Sequence, residues 1–284
     1  MQSQLVSTPQ KKELLRLLAA CGYSKLEVTS FVPSKILPQF QDAGDIAAEK
    51  SMVELMAFVP NLKGLERALE TPLPWVSAFV ATSEEFNQKN VRSSRADTLA
   101  ELGKMVAAAR AANRKIRIYV STMFGCPYEG KIAVSSALDI VDKVAKLGPD
   151  EIALGDTIGV ATPKAVEEIL KGVKGAFPVE RTVLHFHNTY GMGLACAVKG
   201  LELGIERFDG STGGIGGCPY AKGATGNLST DELAFLFHQS GVYPGFKIAP
   251  FEAVLKYLGQ TLKLELHSHL FEILNKGASL YGVH

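Results

Sequence analysis

At 284 residues, 46% apolar and 21% charged, the chain can bury the core of one large domain or two small ones. A formal net charge of +1 without a concentrated basic run excludes a nucleic-acid footprint. The longest stretch free of Asp, Glu, Lys and Arg, residues 182–198, holds two histidines, an asparagine and two glycines, which excludes a membrane span.

The first predicted element is a helix in "STPQKKELLRLLAACG", with Thr8 as N-cap and Pro9 as the first helical residue. Its apolar stripe is Leu14, Leu15, Leu17 and Leu18, and Gly22 is the stop. Strands follow at "KLEVTSFV" (25–32), "MVELMAFV" (52–59), "PWVSAFVA" (74–81) and "KIRIYVST" (115–122). Three more are "DEIALGDT" (150–157), "RTVLHFH" (181–187) and "ERFDGST" (206–212). Several are short apolar runs, as expected of strands buried on both faces. "ATPKAVEEILKGV" is a helix capped by Thr162, with Pro163 next and Ala165, Val166, Ile169, Leu170 and Val173 as its stripe. Near the end, "KLELHSHLFEIL" reads as helical, which turns His267 and His269 in different directions.

Repeated strand–helix units without a break in composition predict a single α/β domain over 1–284, a (β/α)8 TIM barrel, with the C-terminal helical segment (about 248–284) packed on it. A doubly wound sheet is the alternative, but no GxGxxG follows the first strand. The count stops at seven strands and the chain begins with a helix, so the barrel's first strand is expected upstream of Met1. The N-terminus shows no signal-peptide pattern, and the four cysteines form no CxxC pair, which fits a reducing compartment. Cys21 and Cys196 read as small core residues.

In a barrel, chemistry gathers where strands end. Those ends carry Glu27, Asn61, Asp156, His185 and His187, with Tyr128 in the loop after the fourth predicted strand. In "LHFHNTYG" the histidines are two apart, so on an extended strand they project side by side with Phe186 on the other face. Such a pair either binds a divalent cation or is two hydrogen-bonded polar side chains at a strand end. Asp156 in "GDTIG" is equally a turn or cap residue, whereas Glu27, between Leu26 and Val28, requires a cationic partner if buried. After the last strand, "GGIGGCPYAKGATGN" (213–227) has six glycines in fifteen residues, a loop that needs unusual backbone angles or close approach to a ligand. Its Cys218 is a candidate acid/base or nucleophile, and Asn227 offers a neutral oxygen to a metal.

The segments "GGIGGCPYAKGATGNLSTDEL", "LGDTIGVATP", "HFHNTYGMGLA", "GCPYEGKI" and "EVTSFVPSKILPQ" together resemble the 3-hydroxy-3-methylglutaryl-CoA lyase family, over residues 5–240 or so. The resemblance implies a TIM barrel holding one divalent cation, Mg²⁺ or Mn²⁺, with His185, His187 and Asn227 as ligands plus an aspartate from the first strand. It implies cleavage of the hydroxymethylglutaryl thioester to acetyl-CoA and acetoacetate, with Asp156 as base and Cys218 as proton carrier. Glu27 is then expected to orient Asn227 or a metal-bound water, and Tyr128 to contact the acyl-CoA substrate. A homodimer is implied, with no nucleic-acid or membrane partner, in the cytoplasm of a bacterium or the mitochondrial matrix of a eukaryote.

The sequence departs from the family pattern in two places. The family's first strand ends in a segment like "RDGLQ", and "MQS" resembles the tail of such a segment, which matches the missing strand. An internal methionine taken as the start explains this, as does a short chain with impaired activity. In "SFVPSKILPQ" the family often has tryptophan where Ile36 stands, so a changed pocket wall would accept a related thioester such as citramalyl-CoA.

Overall fold

The computed structural model describes residues 4–216, 226–243 and 246–280. All seven expected strands are present, each at least one residue shorter than its sequence pattern. They are β1 Lys25–Ser30, β2 Glu54–Phe58, β3 Trp75–Ala81, β4 Lys115–Ser121, β5 Glu151–Asp156, β6 Thr182–Phe186 and β7 Arg207–Asp209. Neighbours in sequence are neighbours in the sheet, and all six pairings are parallel. That order excludes a doubly wound sheet, where the strand order reverses at a switch point. β5 is buried at every position and β3 at all but one, so their sequences read as apolar runs.

The sheet is rolled into a TIM-barrel wall of seven strands among the described residues, one short of eight. In a flat sheet β1 and β5 would lie roughly 19 Å apart, four strand spacings. Yet Lys25 of β1 touches Glu151 of β5 at 2.9 Å, and Arg117 of β4 touches Asp209 of β7 at 2.8 Å. Only a sheet curled around a shared lumen allows both contacts. Among the described residues no ladder joins β7 to β1. The two sides are tethered instead by Tyr23, whose hydroxyl lies 2.9 Å from that of Thr212 and 2.7 Å from that of Thr230.

Helices cover the outer face, and their caps follow local chemistry. Thr162 accepts the N–H of Ala165, and Val166, Ile169, Leu170 and Val173 of that helix are buried, as the sequence predicts. The first helix, Thr8–Ala19, corrects the sequence reading: Ser7, not Thr8, is the N-cap. The Gln10 side chain accepts the Ser7 N–H at 3.0 Å, while the Thr8 hydroxyl donates to Asp42.

The C-terminal segment also differs from expectation. It is a helix (Ile248–Lys256), a π-helical turn (Tyr257–Thr261), an extended stretch and a last helix (His269–Asn275). Ser268 caps that last helix, so His267 precedes it and His269 opens it. The extended stretch packs under the glycine loop, where the N–H of His267 donates to the Gly213 carbonyl at 2.7 Å.

Candidate active site

β6 delivers the two histidines side by side, with ring centroids 5.3 Å apart, while Phe186 is buried against Phe124. The strand pattern therefore does what the spacing predicts. Beyond the end of β6 the chain is joined by residues 226–228. Leu228 N–H donates to the Phe186 carbonyl at 2.9 Å, Asn188 N–H donates to that of Gly226 at 3.2 Å, and His187 and Asn227 form a bridge. This pairing carries Asn227, forty residues on in sequence, to the histidines.

The glycines of the loop are needed for this close packing. Gly213, Gly214, Gly216 and Gly226 all have positive φ, and a Cβ on Gly226 would meet the Gly214 carbonyl oxygen at 2.3 Å. Cys218, expected in the same loop, lies outside the described residues.

The two imidazoles have different surroundings. His185 Nδ1 lies 2.5 Å from Asp209 Oδ1. Asp209 Oδ2 accepts from Arg117 and from the Tyr119 hydroxyl, each at 2.8 Å. Burial pushes the His185 pKa down, but the Asp209 charge and hydrogen bond outweigh it, and the net shift is upward. His187 is 6% exposed and its Nδ1 is buried, with no hydrogen-bond partner among the described residues. Burial, then the neighbouring His185 charge, push its pKa down to about 3, so the ring is neutral at pH 7.

Asp156 accepts the N–H groups of Val160 and Ala161, each at 3.0 Å, one on each carboxylate oxygen. It thus closes the turn after β5, beside His187, whose N–H donates to its backbone carbonyl at 3.2 Å. Burial outweighs those hydrogen bonds and raises its pKa to about 6.

Glu27 is not buried as expected. It is exposed on the edge strand β1, and its carboxylate accepts the Ser77 hydroxyl at 2.6 Å. The protein atoms crowding that carboxylate raise its pKa more than the Ser77 bond lowers it, a rise tempered by the residue's opening to solvent. Glu27 does not hold Asn227, whose amide N–H₂ donates to the Ile215 and Gly216 carbonyls at 3.1 and 3.3 Å. That arrangement leaves the Asn227 amide oxygen directed away from the loop's acceptors.

Tyr128 packs against Phe86 with its ring under the Lys89 ammonium, in a satellite cluster with Cys126. Asn61 is a helix cap, accepting from Gly64 N–H at 2.9 Å. Ile36 is 69% exposed.

Sequence reasoning misses Asp209, Arg117 and Tyr119. Arg117 and Asp209, like Glu27, are charged residues inside strands of a largely apolar barrel, and that is the signal they carry in the sequence.

The donor set fits a divalent cation. Two imidazoles stand together, one neutral with an unpartnered buried nitrogen, beside an amide oxygen whose N–H₂ is already engaged. Among the described residues no group of three His, Cys, Asp or Glu side chains that could hold a metal ion converges.

A family model described as HMGL-like matches residues 1–257. The chain is 36% identical over 271 residues to the hydroxymethylglutaryl-CoA lyase YngG of Bacillus subtilis, covering 94% of this chain and 91% of that protein. The crystal structure of hydroxymethylglutaryl-CoA lyase from Pseudomonas aeruginosa superposes with a TM-score of 0.92 at 34% identity, over 98% of this chain and 93% of that one. An HMG-CoA lyase from Acinetobacter baumannii, solved with coenzyme A and 3-methylmalate, has a TM-score of 0.91 at 30% identity, over 100% and 92% of the two chains.

Proposed function

The chain belongs to the HMGL-like family of carbon–carbon lyases, and from that premise we propose that it cleaves 3-hydroxy-3-methylglutaryl-CoA to acetyl-CoA and acetoacetate. The observation that carries this reading is the His185–His187–Asn227 cluster at the C-terminal end of β6, where barrel chemistry is done. The family is divalent-metal dependent in general; in this chain His185, His187 and Asn227 would hold the cation, Mg²⁺ or Mn²⁺. When bound, the cation supplies positive charge beside a hydroxyl oxygen and lowers its pKa.

The chain's own groups do the rest. Asp156, with its pKa near 6, is matched to accept the proton of the tertiary alcohol at neutral pH. The electron pair released closes the ketone of acetoacetate as the C2–C3 bond breaks, and the acetyl-CoA fragment leaves as an enolate. Cys218 returns a proton to its carbon, from a loop anchored at Gly213 and Gly226 by backbone contacts. Glu27 accepts the Ser77 hydroxyl at the lumen wall, and Tyr128 contacts the acyl-CoA substrate. The barrel acts as one domain over 1–284 and works as a homodimer. No helix among the described residues is long and apolar enough to cross a membrane.

Substrate choice is tested by comparing kcat/KM for hydroxymethylglutaryl-CoA, followed as acetoacetate, with that for citramalyl-CoA, followed as pyruvate, in Mn²⁺. Preference for the first is the expected result. Preference for the second would reassign the acyl group while leaving the reaction class in place.

A further inference from the structure

We propose that Asp209 is a positioning residue for the cation site: it fixes the ring and tautomer of His185, and is itself fixed by Arg117 and Tyr119. The inference rests on the reading of His185 as a ligand and deepens it. A carboxylate only accepts, so the 2.5 Å contact to Asp209 places the hydrogen of His185 on Nδ1 and leaves Nε2 as its donor atom. His185 and Asp209 are register partners on β6 and β7, so the contact is built into the sheet.

Asp209 has little freedom to turn away. Its second oxygen is held from two sides by the Arg117 guanidinium and the Tyr119 hydroxyl, which lie two residues apart on β4 and face the lumen together. Arg117 is anchored in turn by Glu151 at 2.7 Å, and Glu151 by Lys25 at 2.9 Å. The edge of the His185 ring also meets the Tyr119 ring at a centroid distance of 5.7 Å, which restricts its rotation. The line therefore runs from β1 through β5, β4 and β7 to β6 and ends on an imidazole. Among the described residues His187 Nδ1 has no such partner, so the two histidines are not equivalent there.

Carboxylate partners of this kind typically contribute roughly 10–100-fold to metal affinity. The test titrates Mn²⁺ against the full chain by the EPR signal of the free ion, and reads the His185 tautomer by ¹⁵N NMR of the metal-free protein at alkaline pH. Asp209→Ala is expected to weaken Mn²⁺ binding by roughly 10–100-fold and to release the tautomer, while Asp209→Asn falls between. Tyr119→Phe removes one hydroxyl and tests the same line if Asp209→Ala does not fold; about fivefold weaker binding is expected. Unchanged Mn²⁺ affinity in the folded variants, or an Nε2–H tautomer in the wild-type chain, would overturn the inference. A wild-type chain that binds no Mn²⁺ while showing the Nδ1–H tautomer would instead overturn the ligand reading beneath it.

Discussion

His187→Ala is expected to lower metal-dependent turnover about a thousandfold or more, with little change in the fold. A metal-supplied stabilisation of several kcal/mol converts to that loss at about 1.4 kcal/mol per factor of ten. The ring is suited to the role because it is neutral at pH 7 and buried, with a nitrogen unpartnered among the described residues. Removing it also removes that unsatisfied atom, which offsets part of the packing loss. The check is kcat and Mn²⁺ affinity measured together with thermal unfolding. Activity falling in step with stability, with Mn²⁺ affinity unchanged, would make His187 a structural residue.

Glu151→Gln is expected to destabilise the protein by about 3–5 kcal/mol, because breaking a buried ion pair leaves charges uncompensated. Glu151 is 3% exposed and holds Lys25, Arg117 and, at 3.4 Å, Arg207. Lys25 also lies 3.0 Å from the centre of the Trp75 ring. Burial and the Arg117 charge already push the Lys25 pKa down to about 8, against the pull of Glu151, so losing the carboxylate removes what keeps that ammonium protonated. At about 2–4 °C per kcal/mol for a chain near this size, the unfolding midpoint should fall by roughly 6–20 °C. Adding Lys25→Met should recover part of the loss, since the two residues interact directly. A midpoint within a degree or two of wild type would show the cluster to be solvated and weak.

The strand rhythm is legible in the sequence because burial on both faces leaves runs such as "EIALGD", and the seven-strand count follows from them. The helix starting at Pro163 is legible because its cap is a purely local contact. The first helix offers two adjacent hydroxyls, Ser7 and Thr8, and a bond from Thr8 to Asp42, 34 residues away, decides between them. In "LHSHL" the apolar spacing of the following helix runs backward past Ser268, and the cap at that serine is the signal that separates His267 from His269.

The candidate site divides along the same line. His185 and His187 are a period-two pattern on one strand, readable by eye. Asn227 is brought to them by backbone pairing beyond the strand, a non-local event that only the family resemblance anticipates. Asp209, Arg117 and Tyr119 converge because the sheet curls until β4 faces β7, and no window of sequence contains that curvature. Glu27 reads as buried because Leu26 and Val28 flank it, but β1 is an edge strand and leaves it open.

The central claim, a metal-dependent carbon–carbon lyase, is tested most directly on the 284-residue chain itself. The protein is stripped with EDTA, given hydroxymethylglutaryl-CoA, and assayed for acetoacetate before and after Mn²⁺ is restored. Release that stops on chelation and returns with the ion is the predicted result. Release indifferent to chelation, or none in either condition, would contradict it.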